Sequence, residues 1–151
     1  MTDCQIDIQI ASEMPATDLP DASEIRSWIG CAVAEMDEAE VTIRIVDEEE
    51  SRHLNQQYRG KNKATNVLSF PFEVPMEIDL PLLGDLVICA PVVVKEAQEQ
   101  DKKTDAHWAH MIIHGMLHLQ GFDHQTDSEA VQMENLEIAL MADLGFDNPY
   151  A

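Results

Sequence analysis

No apolar run in this chain approaches the roughly 20 residues that a membrane span requires. Its opening, MTDCQIDIQI, has neither the basic start nor the apolar core of a signal peptide. No membrane partner is expected, and the expected location is the cytoplasm. Cysteine is scarce: Cys4, Cys31 and Cys89 are odd in number, far apart and in no C-x-x-C pair. That argues against a disulfide or zinc–thiolate framework and for reduced thiols filling the interior. Positive charge is scarce relative to its opposite, with 9 Lys and Arg against 29 Asp and Glu, a net charge of −20 and a pI near 4.3. Such a balance excludes a protein that holds nucleic acid through overall charge. Repeats, low-complexity tracts and long linkers are also missing.

What is present suits one domain. A chain of 151 residues, 45% of them hydrophobic, can build a sizeable core, and residues 1–151 read as a single domain. The few cations are unevenly spread. Three of the nine, Arg59, Lys61 and Lys63, fall within five positions of YRGKNKATN. The plain reading is a solvated polar loop; the sharper one is a local positive loop on an acidic body.

Periodicity supplies the elements. QIDIQI and VTIRIV read as strands, NVLSFPF as a third ended by Pro71, and GDLVICA as a fourth after a turn-prone segment containing Pro75 and Pro81. Asp21 and Glu24 form a capping box for a helix whose apolar stripe is Ile25, Trp28, Ile29, Ala32, Val33 and Met36. Asp47 with Glu50 predicts another box, opening a short helix that carries Leu54 and Tyr58 toward the core. Pro91 suits the first turn of a helix through VVVKEAQEQ, and Thr104 is the expected cap of the helix that runs into the histidines. DSEAVQMENLEIALMADLG places Met133, Leu136, Leu140 and Leu144 on one face, with Gly145 as the stop. Four strands and about five helices without strict alternation predict an α+β domain with one small mixed sheet.

The segment HMIIHGMLHLQGFDH holds four of the six histidines. At 100° per residue, His107, His110, His114 and His118 fall within a sector of roughly 80° on one helix face. His114 and His118, one turn apart, can direct their imidazoles at a common ion. Gly121 can take a left-handed conformation and end the helix, so that the chain folds back and His124 supplies a third ligand. Three neutral imidazoles leave a fourth position open, the arrangement of a catalytic zinc at the end of a central helix. A lone histidine on an apolar face is more often a hydrogen-bonded core residue, which is the reading for His107 and His53. His110 either orients a ligand from behind or packs near the site.

This spacing, His114, His118 and His124 with Gly121 between, resembles that of the metzincin peptidases. Those enzymes carry a glutamate directly after the first histidine as the base that activates water, and here that position is Gly115. A second resemblance is broader. HGMLHLQGFDH, together with YRGKNKATNVLSFPFEVP and LLGDLVI, in this order and separation, resembles the YbeY family of bacterial metal-dependent endoribonucleases from about Val41 onward. Phe122 and Asn66 depart from the residues common there, tyrosine and aspartate. The resemblance implies a hydrolase of single-stranded RNA acting in 16S rRNA 3′-end maturation and ribosome quality control. It also implies one zinc ion on His114, His118 and His124, with other divalent metals acceptable, and Arg59 as a functional residue beside the metal. The partners implied are single-stranded rRNA in a ribosomal context and ribosomal or GTPase proteins.

Charge chemistry agrees with the second resemblance. A phosphodiester brings negative charge that grows in the transition state; Arg59 can offer it a bidentate fork, and Lys61 and Lys63 can guide the flanking backbone. Zinc lowers the pKa of bound water toward about 7, so an adjacent base is not required. Asp123, beside a ligand, suits orienting a histidine better than acting as base, and Asp85 is a weaker base candidate. A carboxylate at position 115 would be expected to stand beside the metal and repel phosphate. Two other readings remain open: a metzincin-like metallopeptidase, and a non-enzymatic ribosome-associated protein braced by its metal.

Overall fold

Three apolar-alternating segments lie side by side as parallel strands, and a fourth turns back to cover one edge. In the computed structural model, which describes residues 3–72, 82–122 and 125–150, these are β1 (Asp3–Ala11), β2 (Glu38–Val46), β3 (Val67–Pro71) and β4 (Leu82–Cys89). Their order across the sheet is β1-β2-β4-β3, with β3 antiparallel to β4. The helices are α1 (Ala22–Ala32), α2 (Glu48–Arg59), α3 (Ala90–Glu99), α4 (Thr104–Leu119) and α5 (Asp127–Asp143). This is the predicted α+β architecture: five helices and one mixed four-stranded sheet. The turn-prone segment with Pro75 and Pro81 lies outside the described residues.

The two faces of the sheet carry different loads. Val41, Ile43, Ile45, Leu86 and Ile88 join the main core with α1 and α4, while Val46, Leu68 and Val87 form a smaller cluster on the other face with Leu54 of α2 and Phe70. From His107 to Leu119 helix α4 is buried except at the half-buried His114 and His118, as its packing against the sheet, α1, α3 and α5 requires. Its backbone approaches the sheet at Gly115, where a Cβ would lie 2.7 Å from Leu86 Cδ2 and 3.3 Å from Val67 Cγ2.

Several local expectations are met and several are displaced. The Asp21–Glu24 capping box forms in both directions. Helix α1 stops at Ala32, so Val33 and Met36 reach the core from the turn that follows. Asp47 does precede α2, but its carboxylate accepts from Ser12 Oγ and the Glu13 amide, while Glu50 pairs with Arg44. The capping box is replaced by these tertiary contacts. Thr104 is the first helical residue and Lys103 occupies the cap position. Tyr58 does not reach the core; the residue is 61% exposed. The three cysteines are free, with their thiol pKa values raised by burial.

Candidate metal centre

Helix α4 presents its histidines in a row along one face, each with a different environment. His107 is buried and its Nε2 lies 3.0 Å from Glu96 Oε1, so it is a hydrogen-bonded core residue as expected. Burial lowers its pKa, against the opposing pull of Glu96. His53, expected in the core like His107, is instead exposed on α2. His110 is also buried, its ring edge-on to those of His114 and Tyr150, with Nε2 3.5 Å from Glu137 Oε1.

His114 and His118 face one another. Their Nε2 atoms are 3.1 Å apart. The Nδ1 of His114 meets Glu137, a carboxylate of α5 with no exposed surface. A carboxylate only accepts, so Nδ1 carries the hydrogen and the lone pair of His114 is placed on Nε2, toward His118. Glu137 accepts from the Tyr150 hydroxyl as well. Burial alone would raise the Glu137 pKa, but the nearby His110 imidazole and the hydrogen bonds from His114 and Tyr150 outweigh it and hold the group at about 2. Tyr150 is pushed the other way, by burial and by its bond to Glu137. Lys102 Nζ, 2.7 Å from the Pro149 carbonyl, fixes the chain just before this phenol.

Sequence reasoning missed Glu137 and Tyr150. The signal for Glu137 was present: Met133, Glu137 and Met141 are spaced by four, and all three are buried. The apolar stripe assigned to α5, Met133, Leu136, Leu140 and Leu144, conceals a charged residue in the adjoining row. A carboxylate between two buried methionines must have partners, and its partners are the site. His114, Ala130, Met133, Glu134, Glu137 and Tyr150 line a cavity of about 260 Å³ beside it.

The donor set fits a divalent metal on two observations. Two imidazole nitrogens of a tetrahedral zinc site stand about 3.3 Å apart, close to the 3.1 Å between His114 Nε2 and His118 Nε2. An imidazole whose other nitrogen donates to a carboxylate is the usual oriented ligand. Gly121 has φ +100° and the helix ends at Leu119, so the chain does leave the helix where a third ligand would require. His124 itself, and Asp123 beside it, lie outside the described residues.

The remaining candidates are distributed around edge strand β3. Arg59 is the last residue of α2, where Gly60 closes the helix, and it is exposed, as are Lys61 and Lys63. Their loop is pinned to α2 by Ser51, which bonds both the amide and carbonyl of Thr65 at 3.0 Å, and by Asn55 Nδ2, 2.8 Å from the Lys63 carbonyl. A loop held by two buried side chains is more than a solvated connection. On the opposite face of β3, Ser69 Oγ lies 3.5 Å from the Gly115 carbonyl. Asp85 is exposed in β4; since neighbouring Leu86 faces Gly115, alternation turns Asp85 away from α4. Position 115 also faces the sheet. The expected repulsion between a carboxylate there and a bound phosphate is therefore corrected: such a side chain would first meet Leu86 and Val67.

Fold and site define a class: a small α+β domain whose central helix presents an imidazole pair, oriented from behind by a buried carboxylate. The family model described as Endoribonuclease YbeY matches residues 9–145. The chain belongs to the YbeY endoribonuclease family and is, by that membership, a nuclease-type hydrolase. It is also similar to the solution structure of TM1509 from Thermotoga maritima, at 25% identity and a TM-score of 0.59, over 93% of this chain and 91% of that one. Among the described residues no helix is long and apolar enough to cross a membrane.

Proposed function

We propose that this protein is a zinc-dependent endoribonuclease that hydrolyses single-stranded RNA, acting in 16S rRNA 3′-end maturation and ribosome quality control. The observation that carries the metal-dependent part is the Glu137 carboxylate on His114 Nδ1, which turns the His114 lone pair toward His118. In this reading His114, His118 and His124 hold one zinc ion. When bound, the ion supplies Lewis acidity toward the phosphate and an acidified water. The protein's own groups do the rest. Glu137 fixes the tautomer and ring orientation of His114, and Tyr150 satisfies the second oxygen of Glu137. Arg59 offers a planar fork to the phosphodiester as its charge grows, and Lys61 and Lys63 hold flanking phosphates.

The acidic remainder, at net −20, repels RNA from most of the surface and favours approach along the cationic loop. A ribosomal setting, with ribosomal or GTPase proteins as neighbours, and a cytoplasmic location suit a chain that needs help to concentrate its substrate. Family membership removes the support for a metallopeptidase, and Gly115 facing the sheet explains why no peptidase-type glutamate stands there. Cleavage of a defined single-stranded RNA by wild type and His114→Ala, purified alike, tests the proposal. Cleavage by wild type alone supports it; equal cleavage by both contradicts it.

A further inference from the structure

Tyr58 is conspicuous on physical grounds. Large aromatic side chains usually bury much of their surface, yet Tyr58 is 61% exposed, and Phe72, which directly follows β3, is 46% exposed. Both adjoin Phe70. The Tyr58 ring packs edge-to-face on Phe70, with centroids 5.0 Å apart and an interplanar angle of 69°. Phe72 continues the β3–β4 pairing through its amide, 2.9 Å from the Leu83 carbonyl, and two residues on from Phe70 it falls on the same strand face. The contact with Phe70 holds the Tyr58 ring against the sheet, while most of its surface stays open to solvent.

The surroundings select the occupant. Tyr58 directly precedes Arg59, and the loop with Lys61 and Lys63 begins two residues later, all exposed, on a chain that is otherwise strongly acidic. Exposed aromatics beside clustered cations are what single-stranded nucleic acid binders offer: the cations follow the phosphates and the rings stack on the bases. β3 is also the sheet's edge strand, with the aromatic cluster on one face and α4 on the other. Only one strand separates the rings from the histidine helix, a span that a few nucleotides can cross. Resting on the endoribonuclease reading, we infer that Tyr58, backed by Phe70 and flanked by Phe72, is a stacking platform for a base of the single-stranded RNA whose phosphate Arg59 holds.

The test uses single-turnover cleavage of a single-stranded oligoribonucleotide carrying one 2-aminopurine, whose fluorescence falls when the base stacks, with wild type, Tyr58→Leu and Tyr58→Phe across a salt series. Tyr58→Leu should raise the half-saturating protein concentration about tenfold and lose the quenching, with its salt dependence unchanged because the cations remain. Tyr58→Phe should keep both. Unaltered saturation and quenching in Tyr58→Leu, with wild type active, overturns the platform alone and assigns the exposed rings to a protein contact. A wild type that neither binds nor cuts the RNA overturns the endoribonuclease reading and the platform with it.

Discussion

Gly115 rests on Leu86 so closely that a Cβ added at position 115 would lie 2.7 Å from Leu86 Cδ2. The glycine that follows the first metal-binding candidate is there because α4 must lie against the sheet. Gly115→Ala asks the flexible Leu86 end to move and Val67 Cγ2, 3.3 Å away, to give slightly, while helix propensity returns about 1 kcal/mol, so its stability should stay within roughly 1 kcal/mol of wild type. Gly115→Glu forces a longer, charged side chain into the same contact and should cost about 3 kcal/mol or more. Urea denaturation of both variants checks this, and a Gly115→Glu protein as stable as wild type would show that the helix can lift off the sheet freely.

Glu137 acts through His114. Replacing it by glutamine keeps the size but exchanges a double acceptor for a group that is half donor, so the His114 tautomer is no longer dictated. Zinc affinity of Glu137→Gln should fall about 10- to 100-fold, measured by competition with a chromophoric chelator. Unchanged affinity would mean that the carboxylate serves only the fold.

His107 should make stability pH-dependent. Its folded pKa lies below the ordinary 6.5, so between that lowered value and 6.5 the unfolded chain binds the extra proton. Its contribution is complete above about pH 6.5 and is lost as pH falls through the window. The corresponding loss for Glu137 runs from about 4.5 down to about 2, well separated. Wild type should therefore lose stability between pH 7.5 and 5.5, and His107→Gln should lose less over that range. Parallel curves would contradict the assignment.

How much of this was legible in the sequence differs from element to element. The strands, the five helices and the facing pair His114 and His118 follow from spacing, because period 2 and period 3.6 are local properties. The Asp21–Glu24 cap is local as well, and it forms. Asp47 carried the same signal, yet Ser12 and Glu13, distant in sequence, took its carboxylate. Glu137 and Tyr150 reach His114 only after α5 and the segment beyond it have docked, so nothing near the histidines announces them. Gly115 showed an absent glutamate in the sequence; only the packing shows which way that position points.

Arg59 stands exposed at the end of α2, beside a loop held in place by Ser51 and Asn55. Removing a cation that meets transition-state charge costs at least about 10²-fold in rate, and lysine does not restore a planar fork. Arg59→Ala and Arg59→Lys should both bind zinc as wild type does and cut RNA far more slowly. Wild-type rates in Arg59→Ala would remove arginine from the chemistry.

The most direct measurement of the central claim is zinc titration of chelator-treated protein, following single-turnover cleavage of a single-stranded RNA with bound metal quantified in the same samples. The account predicts no cleavage without metal, a rate that rises to a plateau at one zinc per chain, and no such rise in His114→Ala. Cleavage that is complete in metal-free protein, or a plateau reached equally by His114→Ala, would contradict it.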